Sequence, residues 1–275
     1  MNAYTIIGLI SYLIFPYALY VLFKMKLRES FRVFLLIFIA FYIFWHFIEP
    51  KMLVITQMKI QTGFTSNFIV VGDVDLGYYK SKEALWNIVN EINALNTDFV
   101  LFTGDFTKSQ SEDTYQTSQI ISSLKDFNTP SFFASEDEDS ITKELVNNGV
   151  VNLSTQTPKV NNIFLIWIPA GGSANTHAQI LKSLKPEDNV LVFMHTPEMI
   201  FDFPKDIADL SFASAPWKKI RIPFTNDYIF PSHSPLEKWL YKTDSGRIYV
   251  TSGLGESEFP FRLFNPPEII KVETF

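Results

Sequence analysis

The first fifty residues constrain this chain more than anything that follows them. Residues 4–23 carry no charged side chain, and residues 33–48 carry none apart from His46, which is charged only when protonated. At about 1.5 Å per helical residue the first run crosses the roughly 30 Å hydrocarbon core of a bilayer, while the second needs its flanks to do so. The pattern predicts two transmembrane helices, over about 4–23 and 32–49. A buried helical hairpin of a soluble protein is the plain alternative. A cleaved signal peptide would begin with a basic residue and end on small ones; neither feature is found, so both segments are expected to remain in the mature protein.

Lys24, Lys26, Arg28 and Arg32 stand between the two runs against Glu29, whereas Lys51 and Lys59 are the nearest cations on the far side. The positive-inside bias then places the link in the cytosol and the main body outside. His46 as the one ionisable side chain of the two runs gives little basis for a pore, and a satisfied partner or an interfacial position accounts for it. The apolar runs also explain a composition of 47% hydrophobic residues with 27 Phe, richer than a soluble domain needs. The absence of Cys excludes disulfides, a thiolate nucleophile and a cysteine zinc site. A net charge of −6 without a basic stripe argues against nucleic-acid binding through phosphate neutralisation.

Residues 51–64 read as a linker and residues 65–275 as one body. Within it, 67–71, 99–103, 131–134, 163–168, 190–194 and 248–252 are short apolar runs bounded by polar, Pro or Gly residues, as buried strands are. Residues 84–95 place Leu85, Ile88, Val89 and Ile92 on one helical face, and 111–127 do the same with Ile120, Ile121 and Leu124. Strands alternating with helices predict an α/β layered body with ligand groups at the strand ends.

Those ends carry chemistry. Asp73 and Asp75 follow the first strand, Asp105 the second, Asp137, Glu138 and Asp139 the third, and His195 a later one. One acid at a strand end is ordinarily a turn former or helix cap. Three acidic ends and one with an imidazole form a repeated pattern. If the loops converge, clustered carboxylates repel one another and a bound cation relieves the repulsion. Oxygen donors with one imidazole suit Mg²⁺, Mn²⁺ or Ca²⁺, with Zn²⁺ and Fe also admissible.

The segments IVVGDVDLG, LNTDFVLFTGD, TPSFFASEDED, VLVFMHTPE and DLSFASAPWKKIRIPF, in that order, resemble the five motif blocks of the calcineurin-like metallophosphoesterases. The ending YVTSGLGESEFPFRLFNPPEI is similar to the membrane-associated branch that includes UDP-2,3-diacylglucosamine pyrophosphatase-like enzymes, through Gly253, Gly255, Arg262, Phe264, Pro266, Pro267 and Glu268. The resemblance implies a β-sandwich flanked by helices in α/β/β/α layers, preceded here by the two membrane helices. It also implies a pair of adjacent metal ions that activate water for phosphoester hydrolysis.

Several expected ligands are replaced. Asp73 matches the first D of the D-x-H block, but Asp75 stands where His belongs; Gly104 and Asp105 keep the G-D block, with Asp105 as the bridging ligand. In the G-N-H-D block Asp137 takes the Asn position and Glu138 that of the catalytic His. His195 is kept, while Ala213, Ser214, Ala215 and Pro216 replace G-H-T-H when Ile220, Arg221 and Pro223 hold the register. The metal ligands implied are therefore Asp73, Asp75, Asp105, Asp137 and His195, holding at most one divalent ion (Mn, Mg, Ca, Fe or Zn), with no organic cofactor. Lys218, Lys219 and Arg221 would offset part of the negative charge, or form a solvated surface run. Two functions follow. One is a family member of weak or absent activity, binding or structural at the membrane. The other is a working hydrolase of a lipid-linked phosphate or pyrophosphate with a carboxylate-rich site.

Overall fold

The computed structural model describes residues 3–26, 28–75, 82–104, 106, 122–134, 140–154, 156–169, 184–185, 187–214, 221–222, 236, 239–255 and 261–275. The two apolar runs form α1 (Ala3–Lys24) and α2 (Glu29–Ile43), the latter continuing through a π turn, Phe44–Ile48, and a 3-10 turn, Glu49–Lys51. They pack against each other through Ala18, Leu35 and Ile39, with Phe15, Leu19 and Leu22 alongside. His46 finds Ser11 Oγ at 2.9 Å, and the Tyr42 hydroxyl donates to the Ser11 carbonyl. Among the described residues one helix, Glu29–Lys51 (23 residues), is long and apolar enough to cross a membrane, its most apolar 18-residue stretch having a mean hydropathy of 2.1; Ile10–Lys24 is a shorter apolar helix. The expectation of two spans is thus met by length and composition for one.

Among the described residues the body has twelve strands in two sheets. They are β1 (Val54–Ile60), β2 (Ser66–Gly72), β3 (Phe99–Thr103), β4 (Ser131–Phe133), β5 (Val151–Asn152), β6 (Lys159–Val160), β7 (Ile163–Ile168), β8 (Asn189–Met194), β9 (Ala208–Ser214), β10 (Trp239–Thr243), β11 (Gly246–Thr251) and β12 (Glu268–Thr274). One sheet runs β1-β12-β2-β3-β4-β5 and the other β10-β11-β9-β8-β7-β6. β2 to β5 are mutually parallel, as are β7, β8, β9 and β11, so their C-terminal ends gather along one edge of each sheet.

The central strands β2, β3, β7 and β8 are buried on both faces, which is why they read as unbroken apolar runs rather than as alternation. Phe68, Val70, Phe99 and Leu101 of the first sheet meet Leu165, Leu191, Phe193 and Phe212 of the second. On the outer face of the first sheet, Ile69, Val71, Val100 and Phe102 receive Leu85, Ile88, Val89 and Ile92 of α3 (Lys82–Ala94) and Leu145 of α4 (Ser140–Asn147). Each such side chain stabilises by about 1.5–3 kcal/mol, ample to hold a helix too short to persist alone. The outer face of the second sheet is covered by Ile200, Phe203 and Leu236; no α-helix is described there.

Two readings differ from the sequence expectation. Part of the supposed linker 51–64 is β1, an edge strand whose whole length pairs in parallel with β12. The helix expected over 111–127 lies outside the described residues except at its end, where Ser122–Asp126 is a 3-10 turn.

Glu268, 1% exposed, ties three strands at this end. Its carboxylate accepts from Thr56 Oγ1 (2.9 Å), Thr251 Oγ1 (3.0 Å) and Ser252 N (3.2 Å). Glu268→Ala orphans those buried donors and is expected to lower the unfolding free energy by roughly 3 kcal/mol or more, with Glu268→Gln milder. The midpoint of chemical denaturation measures it, and a shift below about 0.5 kcal/mol would refute this role for the carboxylate.

Candidate metal centre

The two sheets close on each other at one corner, where β2, β3, β8 and β9 end. Asp73 is the first residue past β2. Its N–H donates to Thr103 O (3.0 Å), extending the β2–β3 ladder by a rung, and reaches Ser214 Oγ at 3.3 Å across the sandwich. Its carbonyl accepts from Leu254 N (3.0 Å) and Gly255 N (2.7 Å). With the backbone held on both sides, the carboxylate, 1% exposed, faces His195 just past β8: Oδ1 stands 3.5 Å from Nδ1.

Gly104 lies between them. Its φ is +82°, in the left-handed region that favours glycine, and a Cβ there would come within 1.9 Å of Asp73 Oδ1 and 2.9 Å of His195 Nδ1. The space between carboxylate and imidazole therefore exists because residue 104 has no side chain. A separation of 3.5 Å is long for a hydrogen bond but fits two ligands of one ion: at about 2.1 Å each and a near-tetrahedral angle, they would stand roughly 3.4 Å apart. This pair fits a divalent cation as part of its ligand set.

Ser214, where the resemblance expects an imidazole, does something else. Its hydroxyl donates to Thr103 O (3.1 Å), and its oxygen lies 3.1 Å from Thr103 Oγ1 while also receiving the Asp73 N–H. A hydroxyl offers one donor and two acceptor sites. Its partners all lie inside the protein, and Ser214 is 1% exposed. It locks the two sheets together. Its sequence signal was the apolar strand ending in a small polar residue; its partners came from strands far off in sequence.

The other expected ligands fall as follows. Asp75, 4% exposed, sits in a left-handed turn with φ 48°, packed so closely under Gly255 that a Cβ there would come 2.1 Å from its own. Asp105, Asp137 and Glu138 lie outside the described residues, as do Asp139, Lys218 and Lys219. Among the described residues no group of three or more His, Asp or Glu that would hold a metal ion occurs, so Asp73 and His195 are the donors the structure describes together. Arg221 lines a different cleft, beside Phe44 of the N-terminal hairpin.

A layer behind these residues was not anticipated. Arg262, 0% exposed, donates from its guanidinium to Gly255 O (2.6 Å), Gly253 O (3.1 Å), Asn265 O (3.1 Å) and Ser252 O (3.4 Å). Its own N–H caps Trp45 O at the end of the long apolar helix (3.0 Å), while Glu49 Oε1 accepts from Asn265 N (2.6 Å) and Trp45 stacks on Phe261 at 5.6 Å. The loop that grips Asp73 is thus fastened to the helix that leaves the body. A larger polar cleft, about 790 Å³, lies at the opposite, N-terminal ends of β8, β9 and β11. Two of its aspartates hold backbone groups, Asp188 on Lys185 N and Asp209 on Val190 N.

No protein-family model matches the chain. The uncharacterised metallophosphoesterase YkuE of Bacillus subtilis is 27% identical over 251 residues, an alignment covering 81% of this chain and 86% of that protein. A distant relative of that name, the mixed α/β body with two sheets, and a carboxylate and imidazole meeting at strand ends together support a phosphoesterase-family protein.

Proposed function

We propose that this chain is a membrane-anchored protein of the calcineurin-like metallophosphoesterase family with a reduced metal centre. Asp73 and His195, with Asp105 or Asp137 completing the set, hold at most one divalent ion (Mn, Mg, Ca, Fe or Zn), and hydrolysis is weak or absent, leaving a binding or structural role at the membrane. The observation that carries this reading is Ser214, a buried hydroxyl bonded to Thr103 and the Asp73 N–H where an imidazole ligand is expected. Replacement of the third-block His by Glu138 points the same way, since a proton donor to the leaving group ordinarily contributes about 10²- to 10⁴-fold.

A divalent ion, when bound, would polarise a phosphoryl oxygen and lower the pKa of a coordinated water. The chain's own contribution is placement. Asp73 is fixed through its backbone, His195 is held opposite it, and Gly104 keeps the gap open. Membrane anchoring is supported by the outer surface of the hairpin, where Leu13, Tyr17, Phe23, Phe34 and Ile37 are exposed; a hairpin buried in a soluble protein would cover them. We assign the body to the extracytoplasmic side from the cations between the two helices.

The second reading, an active hydrolase of a lipid-linked phosphate or pyrophosphate, draws on the intact Asp73–His195 pair and on the relative's printed name. Full-length protein in detergent, assayed on bis(p-nitrophenyl) phosphate with each of the five metals, separates the two. The proposal expects no turnover above the metal-only blank. Clear turnover that Asp105→Asn abolishes would overturn it in favour of the hydrolase.

A further inference from the structure

Beside the end of α2 lies a cleft of about 490 Å³ lined by Phe44, Glu49, Met52, Arg221, Ile222, Phe264 and Pro266. It is the place where the chain leaves its long apolar helix and enters the body, for Phe44 and Glu49 belong to the helical turns that end that helix. Its walls are apolar, and several of them face solvent: Met52 is 46% exposed, Phe264 42% and Ile222 38%. Phe264 holds a φ of 54°, an unfavourable backbone for a bulky residue, so an aromatic is kept outward at some conformational cost. Arg221 is half-buried, with its N–H on Leu263 O and its guanidinium over the Trp239 ring at 5.9 Å. Trp239 is itself 48% exposed, as tryptophans at a membrane surface are.

Each feature is awkward for a surface in water and ordinary at the boundary between acyl chains and headgroups. We propose that this cleft binds one phospholipid of the surrounding bilayer, an acyl chain lying along Phe44, Met52, Ile222 and Phe264 and the lipid phosphate meeting Arg221. The guanidinium supplies a planar set of donors suited to phosphate oxygens. Glu49, the other charged side chain of the cleft, does not oppose this at the rim: it is 2% exposed, and its Oε1 is taken by the Asn265 N–H. The bilayer is the source because the cleft adjoins the helix that would cross it. The inference rests on that membrane reading and is independent of whether the Asp73–His195 centre is active.

Full-length protein extracted in mild detergent and examined by native mass spectrometry, after exposure to phosphatidylglycerol, diacylglycerol or inorganic phosphate, tests the proposal. One phosphatidylglycerol is expected to be retained, diacylglycerol about tenfold less, and phosphate alone neither bound nor competing. Arg221→Gln is expected to reduce phospholipid retention about tenfold, the worth of one charge-assisted contact. Ile222→Trp, which fills the cleft from an exposed position without touching the core, is expected to do the same with an unchanged melting temperature. Equal retention of diacylglycerol and phosphatidylglycerol, or undiminished retention in both variants, would overturn it. Carbonate washing of membranes gives the separate check: a chain that washes off defeats the membrane reading and this inference together, while one that stays but retains no lipid defeats the cleft alone.

Discussion

Arg262→Met is expected to lower the unfolding free energy by roughly 3 kcal/mol or more and to loosen the body from the long apolar helix that precedes it. The side chain serves four carbonyls, those of Ser252, Gly253, Gly255 and Asn265. Buried carbonyls without donors are costly, and bonds from a charged donor contribute about 1.5–3 kcal/mol each before non-additivity is considered. Lysine cannot stand in, because one ammonium cannot address four acceptors spread around a planar guanidinium. Arg262→Lys should therefore recover less than half of the loss. The consequence reaches further, since Leu254 and Gly255 donate to the Asp73 carbonyl. Faster protease cleavage near residues 252–262 would accompany the lower denaturation midpoint. Unchanged stability and cleavage would refute the bracketing role.

Gly104→Ala is the second large effect, and it falls on the centre. The methyl group would occupy space 1.9 Å from Asp73 Oδ1 and 2.9 Å from His195 Nδ1, on a backbone with φ +82°. Strain of this kind costs about 1–3 kcal/mol. The donors must also move apart, so divalent-ion affinity is expected to fall by at least about tenfold, which corresponds to roughly 1.4 kcal/mol. Isothermal titration with Mn²⁺ measures it. Equal affinity in the variant would show that the ion, if bound, does not sit between these two side chains.

Much of the fold was legible because the central strands are covered on both faces. β3 and β7 occupy the residues read for them, and β2 and β8 extend those readings by one or two residues, since continuous runs of Val, Ile, Leu and Phe bounded by polar residues leave few alternatives. β1 was hidden by its neighbourhood. Met58 and Ile60 are buried while Gln57 and Lys59 are exposed, an alternation confined to the end of the strand, and the stretch follows a long apolar helix so closely that it resembled a tether. Its partner β12 lies over two hundred residues away, a pairing that no local pattern announces.

Of the residues singled out at strand ends, Asp73 after β2 and His195 after β8 stand together, 3.5 Å apart, because the two sheets bring the C-terminal ends of these strands to one corner. The roles of Ser214 and Arg262 were not legible, because each is defined by acceptors contributed from other strands or loops. A serine at a strand end looks like a lost ligand in sequence; only the positions of Thr103 O and the Asp73 N–H make it a clasp between sheets.

Metal content is the most direct measurement of the proposed reduced centre. Full-length protein equilibrated with Mn²⁺, desalted and examined by elemental analysis should carry no more than about one ion per chain, and His195→Ala should carry essentially none. Two ions per chain, or one that survives both His195→Ala and Asp73→Asn, would contradict the account.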